Sequence, residues 1–157
     1  MANNWQQLEN NKRAYALDFV QRLRFTSNYS TSMPPAMFAD TLFINAGVSP
    51  SAAERAAVIN EFGGAATTGD IPARARAVRA VAENPTLVQQ EFNKALVLMQ
   101  YFGYLRRNPF DPPEQTMDFQ GYNFWLGKLN QFGGNSINAE MVKAFITSIE
   151  YRQRFGP

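Results

Sequence analysis

The chain has 157 residues, enough for one domain or for two small repeats sharing a core, and its 45% hydrophobic and 18% charged residues belong to a globular fold rather than a disordered one. A net charge of +2 is too small to supply the concentrated basic face that nucleic-acid binding needs. The absence of Cys and His excludes Cys/His zinc sites, thiol nucleophiles, disulfides and Ser-His-Asp triads.

Trp5, Leu8, Tyr15, Phe19 and Leu23 recur at near-helical spacing and predict a first helix over 4–25. The turn formers from Thr26 to Pro35 predict a loop. Pro35 suits the first position of a second helix, which carries Met37, Phe38, Leu42 and Ile44 and stops at Gly47. A third helix follows with Ser49 as its cap, Pro50 at its first position and Glu54 in its early turns. A fourth starts near Asp70, with Ile71, Ala75, Val78 and Ala82 inward and Arg74, Arg76 and Arg79 on a solvated face.

Asn84-Pro85 breaks the chain before a fifth helix over 86–107. Leu87, Phe92, Leu96, Met99, Phe102 and Leu105 form its main stripe, and its other sides are apolar too, so it is expected at the centre of the fold. A proline-rich loop over 108–116 precedes a sixth helix through Trp125. The seventh carries Asn138 or Ser136 as cap and turns Met141, Val142, Phe145, Ile146 and Ile149 inward. No segment alternates with period two, and the longest apolar stretch, from Ala95, is too short to span a bilayer.

NEFGG at 60–64 returns as NQFGG at 130–134. Each copy ends a helix. Glycine after a last helical turn takes the left-handed conformation without strain, and the preceding Phe is expected to anchor the corner in the core. The prediction is an all-α chain of about seven helices, with two diverged helix–turn–helix units packed around a central apolar helix. Residues 1–33 form a bracing helix and loop, 34–85 a degenerate unit and 86–157 a second unit.

The second unit presents, in order, Arg106, Arg107, Pro109, Gly121, Tyr122, Phe124, Trp125, Leu129, Val142, Ala144, Phe145, Ser148, Glu150, Tyr151 and Arg152. This order resembles the bacterial domain-of-unknown-function family 4214. The run Phe145, Ser148, Tyr151, Arg152 and Phe155 is similar to the linker domains of phycobilisomes. The resemblance covers Tyr101 to Phe155. The first unit departs from it, with Arg55 where the glycine alignment would place Trp125, and the segment between Pro109 and Gly121 is longer than the family pattern.

The resemblance implies an all-helical, non-catalytic module near the end of a larger exported or surface protein, with scaffolding as the function of the phycobilisome relatives. The polar N-terminus lacks a signal peptide, so on this reading the chain is a fragment of that longer protein. A protein partner, no cofactor, no nucleic acid and no membrane span are expected, with cell-wall glycan as the other candidate ligand.

Four groups are candidate sites. Trp125 with Tyr122 and Phe124 reads as a sugar platform or as core anchors beside a close approach at Gly121. Asp111, Glu114 and Asp118 read as a calcium set, although the EF-hand pattern is missing, or as local caps. The same carboxylates also read as a glycosidase pair, although nothing in the sequence raises one of them into an apolar pocket. Tyr151 and Arg152 read as an interface hot spot or as packing within their own unit.

Overall fold

Nine α-helices and one π-helical turn make up the regular structure of the described residues, 2–114 and 118–156 of a computed structural model, and no strand occurs among them. In chain order they are α1 (Ala2–Phe19), α2 (Leu23–Asn28), α3 (Pro35–Ala46), α4 (Ala52–Asn60), α5 (Ile71–Ala82), α6 (Pro85–Gln100), the π-helical turn (Tyr101–Leu105), α7 (Gln120–Gln131), α8 (Met141–Thr147) and α9 (Ile149–Phe155). The all-α expectation holds. The expected seven helices become nine because the first and the last are each broken once. Residues 115–117, which include the end of the expected proline-rich loop, lie outside the described residues.

Both breaks have the same physical origin. Val20 and Phe25 are both buried, yet five residues on one straight helix would set them roughly 140° apart. The chain therefore opens at Arg22, whose backbone is extended, and α2 starts afresh. Phe19 and Phe25 then meet with ring centroids 5.2 Å apart. At the other end Ser148 is extended, and its Oγ accepts from the Tyr151 N–H at 3.1 Å, capping α9. That bend lets Phe145 face Tyr101 and Tyr151 face Tyr104.

The chain divides into two units, Met1–Val88 and Gln89–Pro157. The core of the first holds Val20, Phe25, Phe38, Phe43, Val58 and Phe62, with Ala73, Ala77 and Val81 of α5 pressed against them. Trp5, Leu8, Tyr15, Leu23, Met37 and Ile44, expected inside, are exposed, and so is Ala82. Small residues explain part of this. Alanines on α5 let α1 approach closely, so Ala16 and Val20 face inward where Tyr15 would not fit. The cap of α4 is Ser51 rather than Ser49. Its Oγ accepts from the Glu54 N–H while the Glu54 carboxylate accepts from the Ser51 N–H at 2.8 Å, a reciprocal capping box. Asp70 caps α5 and Pro35 opens α3 as expected, and Gly47 closes α3.

The core of the second unit gathers Val97, Tyr101, Leu105, Leu129, Met141 and Phe145. Helix α6 is not apolar all round in its packing. Asn93, Val97 and Gln100 are buried, whereas Phe92 and Met99, and Phe102 in the π-helical turn that follows, are exposed. Neither Asn138 nor Ser136 caps α8. The Asn135 side chain instead accepts from the N–H groups of Ile137 and Asn138, and Glu140 at the cap position takes a left-handed conformation.

The two FGG corners have nearly the same backbone. Gly63 and Gly64 have φ of +58° and +82°, and Gly133 and Gly134 have +60° and +84°. In each corner the Phe N–H bonds the carbonyl three residues back, the first Gly bonds the Asn carbonyl, and the residue after the glycines bonds the Phe carbonyl. Their surroundings differ. Phe62 is 6% exposed and anchors its corner, while Phe132 is 44% exposed and does not. A Cβ on Gly64 would meet open space. One on Gly134 would lie 2.6 Å from Gln89 Nε2 and 2.8 Å from Asn93 Oδ1. The second corner is held by α6 side chains, with Asn93 Nδ2 donating to Asn130 Oδ1 at 2.9 Å.

Candidate functional site

All the residues singled out as candidate sites fall in the second unit, around the π-helical turn. That turn closes with the Arg106 N–H bonding the Tyr101 carbonyl, five residues back. The wider turn buries Tyr101 and Leu105 together, and Arg106 ends it with φ of +52°. The next residue, Arg107, is directed inward, and its side chain is 7% exposed.

Arg107 organises the loop that follows. Its Nε donates to Glu150 Oε1 at 2.8 Å and its Nη2 to Glu150 Oε2 at 3.1 Å, a bidentate pair across 43 positions. Nη2 also reaches Glu114 Oε1 at 3.3 Å. Nη1 donates to the carbonyls of Asn108, Pro109 and Asp111. The guanidinium stands over the Tyr101 ring, 5.2 Å from its centroid. Desolvation opposes its charge, but the hydrogen bonds and charge of Glu150, then of Glu114, outweigh this and raise its pKa. Burial, with Glu114 adding to it, pushes the Tyr101 phenol up to about 12. Gly121 is the close approach on α7. A Cβ there would lie 2.6 Å from Tyr101 Oη and 3.3 Å from Glu114 Oε1.

The candidate residues are placed as follows. Tyr122, Trp125 and Tyr151 are half-buried and pack against one core cluster, so the structure brings these three to a shared interior. Trp125 meets Phe145 at 5.6 Å and Phe124 at 5.1 Å, and Lys128 Nζ lies 5.3 Å from its ring centroid. The Tyr122 hydroxyl donates to the Lys94 carbonyl at 3.2 Å, and its ring packs on Phe119. Tyr151 packs on Tyr104 and Phe155. Phe124 is exposed rather than a core anchor, and Arg152 is exposed on α9, where Glu150 and Tyr151 are half-buried.

The carboxylates do not converge. Asp111 Oδ2 accepts from Asn108 N and Nδ2, each at 2.9 Å, and Asp118 Oδ1 accepts from the Gln120 N–H at 2.9 Å. Glu114 faces Arg107. No group of three or more acidic side chains is placed to hold a metal ion among the described residues.

Sequence reasoning missed the pairing of Arg107 with Glu150 and the buried role of Asn93. Arg107 and Glu150 both stand in the run that resembles family 4214, but no local spacing links them across 43 positions. Sequence reasoning also missed Arg74 in the first unit, assigned to a solvated face and in fact fully buried. Its neighbours Arg76 and Arg79 are ion-paired, with Glu61 at 2.6 Å and with Glu83 and Glu9 at 2.8 and 3.0 Å.

No helix among the described residues is long and apolar enough to cross a membrane. No family model, no curated protein and no solved structure matches the chain.

Proposed function

We propose that this chain is a non-catalytic helical module that makes protein–protein contacts, a scaffolding part at the C-terminal end of a larger exported bacterial protein. One observation carries the reading. In the second unit the buried charges are used up in internal pairs around Arg107, while Phe92, Met99, Phe124, Ile137 and Ile149 stand exposed. Exposed apolar side chains of this size serve association better than chemistry. The resemblance of Tyr101 to Phe155 to family 4214 and to phycobilisome linkers supports the same reading, as does the shared backbone of the two FGG corners, which fits two diverged helix–turn–helix units.

The test places a photo-crosslinking side chain at Phe124 of the parent protein in its native cell. Discrete adducts to protein are expected. The reading falls if adducts are absent and the purified chain instead hydrolyses peptidoglycan, with activity lost on Glu114→Ala or Asp118→Ala. The other reading is a glycan- or calcium-binding module using Tyr122, Trp125, Asp111 and Asp118. It predicts heat on titration with calcium or cell-wall glycan at millimolar concentration, lost in Trp125→Ala or Asp111→Ala.

A further inference from the structure

Helices α1 and α5 pack together in the first unit, and an open groove of about 530 Å³ is lined by both. Arg13, Ala16 and Leu17 of α1 line it, and so do Ala75, Arg76, Arg79 and Ala80 of α5, each set spaced as one stripe of its helix. The groove exists because the closest-packed positions carry only methyl groups. Ala16 and Ala75 are buried and leave the space above them unfilled. Leu17 and Ala80 are exposed and extend the apolar lining.

Charge around this lining is unevenly spent. Glu61 is taken by Arg76 at 2.6 Å and Glu83 by Arg79 at 2.8 Å. Glu9 and Lys12 join the same network and, paired with each other at 3.2 Å, add no net charge. Arg13 is left over. It is exposed, and it has no ion partner among the described residues. Arg79 Nε is enclosed and also lacks a hydrogen-bond partner among them. Donors therefore outnumber acceptors along the groove.

We propose that this groove binds a small carboxylate with an apolar chain, the carboxylate on Arg13 and the chain along the alanines of α1 and α5. The volume is in the range of small-molecule sites, and such sites combine an apolar lining with a few polar groups that fix orientation. A guanidinium receives a carboxylate through two parallel N–H···O bonds. One unspent cation calls for a monoanion, since a phosphate dianion brings a second charge with no cation to meet it. An uncharged glycan leaves Arg13 unused and sets hydroxyls against alanine methyls. The site lies within the first unit and is independent of the protein-contact reading, which rests on the second.

Calorimetric titration of the full chain with octanoate is expected to show one site with a Kd of about 1 mM or tighter. Hexanoate and then butanoate should each bind about four-fold more weakly, because an open groove covers roughly half of each methylene. Arg13→Gln should weaken octanoate about ten-fold with an unchanged circular dichroism spectrum, since Arg13 is exposed and holds no ion pair among the described residues. Arg24→Gln removes an exposed arginine of α2 outside the groove and should leave the affinity unchanged.

Absence of heat at ten times that octanoate concentration overturns the proposal. So does an equal loss in Arg13→Gln and Arg24→Gln, which would mean general charge attraction. Binding of 1-octanol as tight as octanoate would show that the groove reads no charge, and binding of inorganic phosphate as tight would show that it reads charge alone. Either result also overturns the proposal. None of these outcomes touches the protein-contact reading, which stands or falls on the adducts at Phe124.

Discussion

Each unit buries one arginine, and the two are treated in opposite ways. Arg107 is held by two carboxylates and three carbonyls. Arg74 has no carboxylate partner among the described residues. Its Nη1 donates to Thr68 Oγ1 at 2.9 Å, to the Thr68 carbonyl at 3.1 Å and to the Ser30 carbonyl at 3.3 Å, and Nη2 donates to the Tyr29 carbonyl. The rings of Phe38 and Phe25 stand 4.8 and 5.4 Å from its guanidinium. Burial lowers the pKa of Arg74, whereas the acidic partners of Arg107 outweigh desolvation and raise its pKa. Both devices hold chain that has no regular structure. Arg74 joins the loop after α2 to the segment before α5, and Arg107 joins the loop after the π-helical turn to α9. Carbonyl dipoles and ring faces can stand in for a carboxylate when the cation is fully enclosed.

The strongest way to break this comparison is Arg74→Ala. It opens a cavity against Phe25 and Phe38 and strips donors from three loop carbonyls, at an expected cost of about 4 kcal/mol, read as a lower urea midpoint. The FGG corners come next. Phe62→Ala should cost about 3 kcal/mol, as for other buried phenylalanines, and Phe132→Ala less than about 1 kcal/mol. Equal costs from urea denaturation would mean that both corners are anchored alike.

Arg107→Ala leaves Glu150 and Glu114 facing each other in a partly screened site. It should cost about 2–3 kcal/mol, below the range for fully buried pairs because both glutamates retain some exposure. With the exposed Trp5 changed to Phe, Trp125 fluorescence reports this loss from within the second unit.

Tyr101 gives that unit a dependence on alkaline pH. Its folded pKa, about 12, lies above the ordinary phenol value of 10, so its contribution is complete below pH 10 and is lost as pH rises toward 12. The loss should be about 2 kcal/mol and absent in Tyr101→Phe, followed by unfolding at a series of alkaline pH values. The smallest contrast concerns the second glycine of each corner. Gly64→Ala should cost about 1 kcal/mol for its positive φ, and Gly134→Ala about 2 kcal/mol because Gln89 and Asn93 must also move. Equal thermal midpoints would show that the α6 side chains yield freely.

Much of the fold was legible where a local rule acts alone. Pro35, Gly47 and Asp70 mark helix ends because starts and stops depend on backbone donors and acceptors within one turn. The FGG corners were legible for the same reason. The inward faces of the longest helices were not. Aromatic residues on α1 and α6 follow a helical period, but the face that turns inward is chosen by what can approach it. Alanines on α5 admit Ala16 and Val20, and a hydrogen-bonded Asn93 takes a buried place that Phe92 does not.

At the candidate site the sequence supplied the residue types but not their pairing. The amino-acid sequence by itself determined an all-helical chain, its turn chemistry and the repeated glycine corner, since these follow from propensity and from backbone conformations open to glycine. Tertiary structure alone decided that Arg74 is enclosed, that Arg107 closes on Glu150 and that one face of α6 stays uncovered. The reason is that burial and ion pairing depend on residues more than 40 positions apart, which no local pattern encodes.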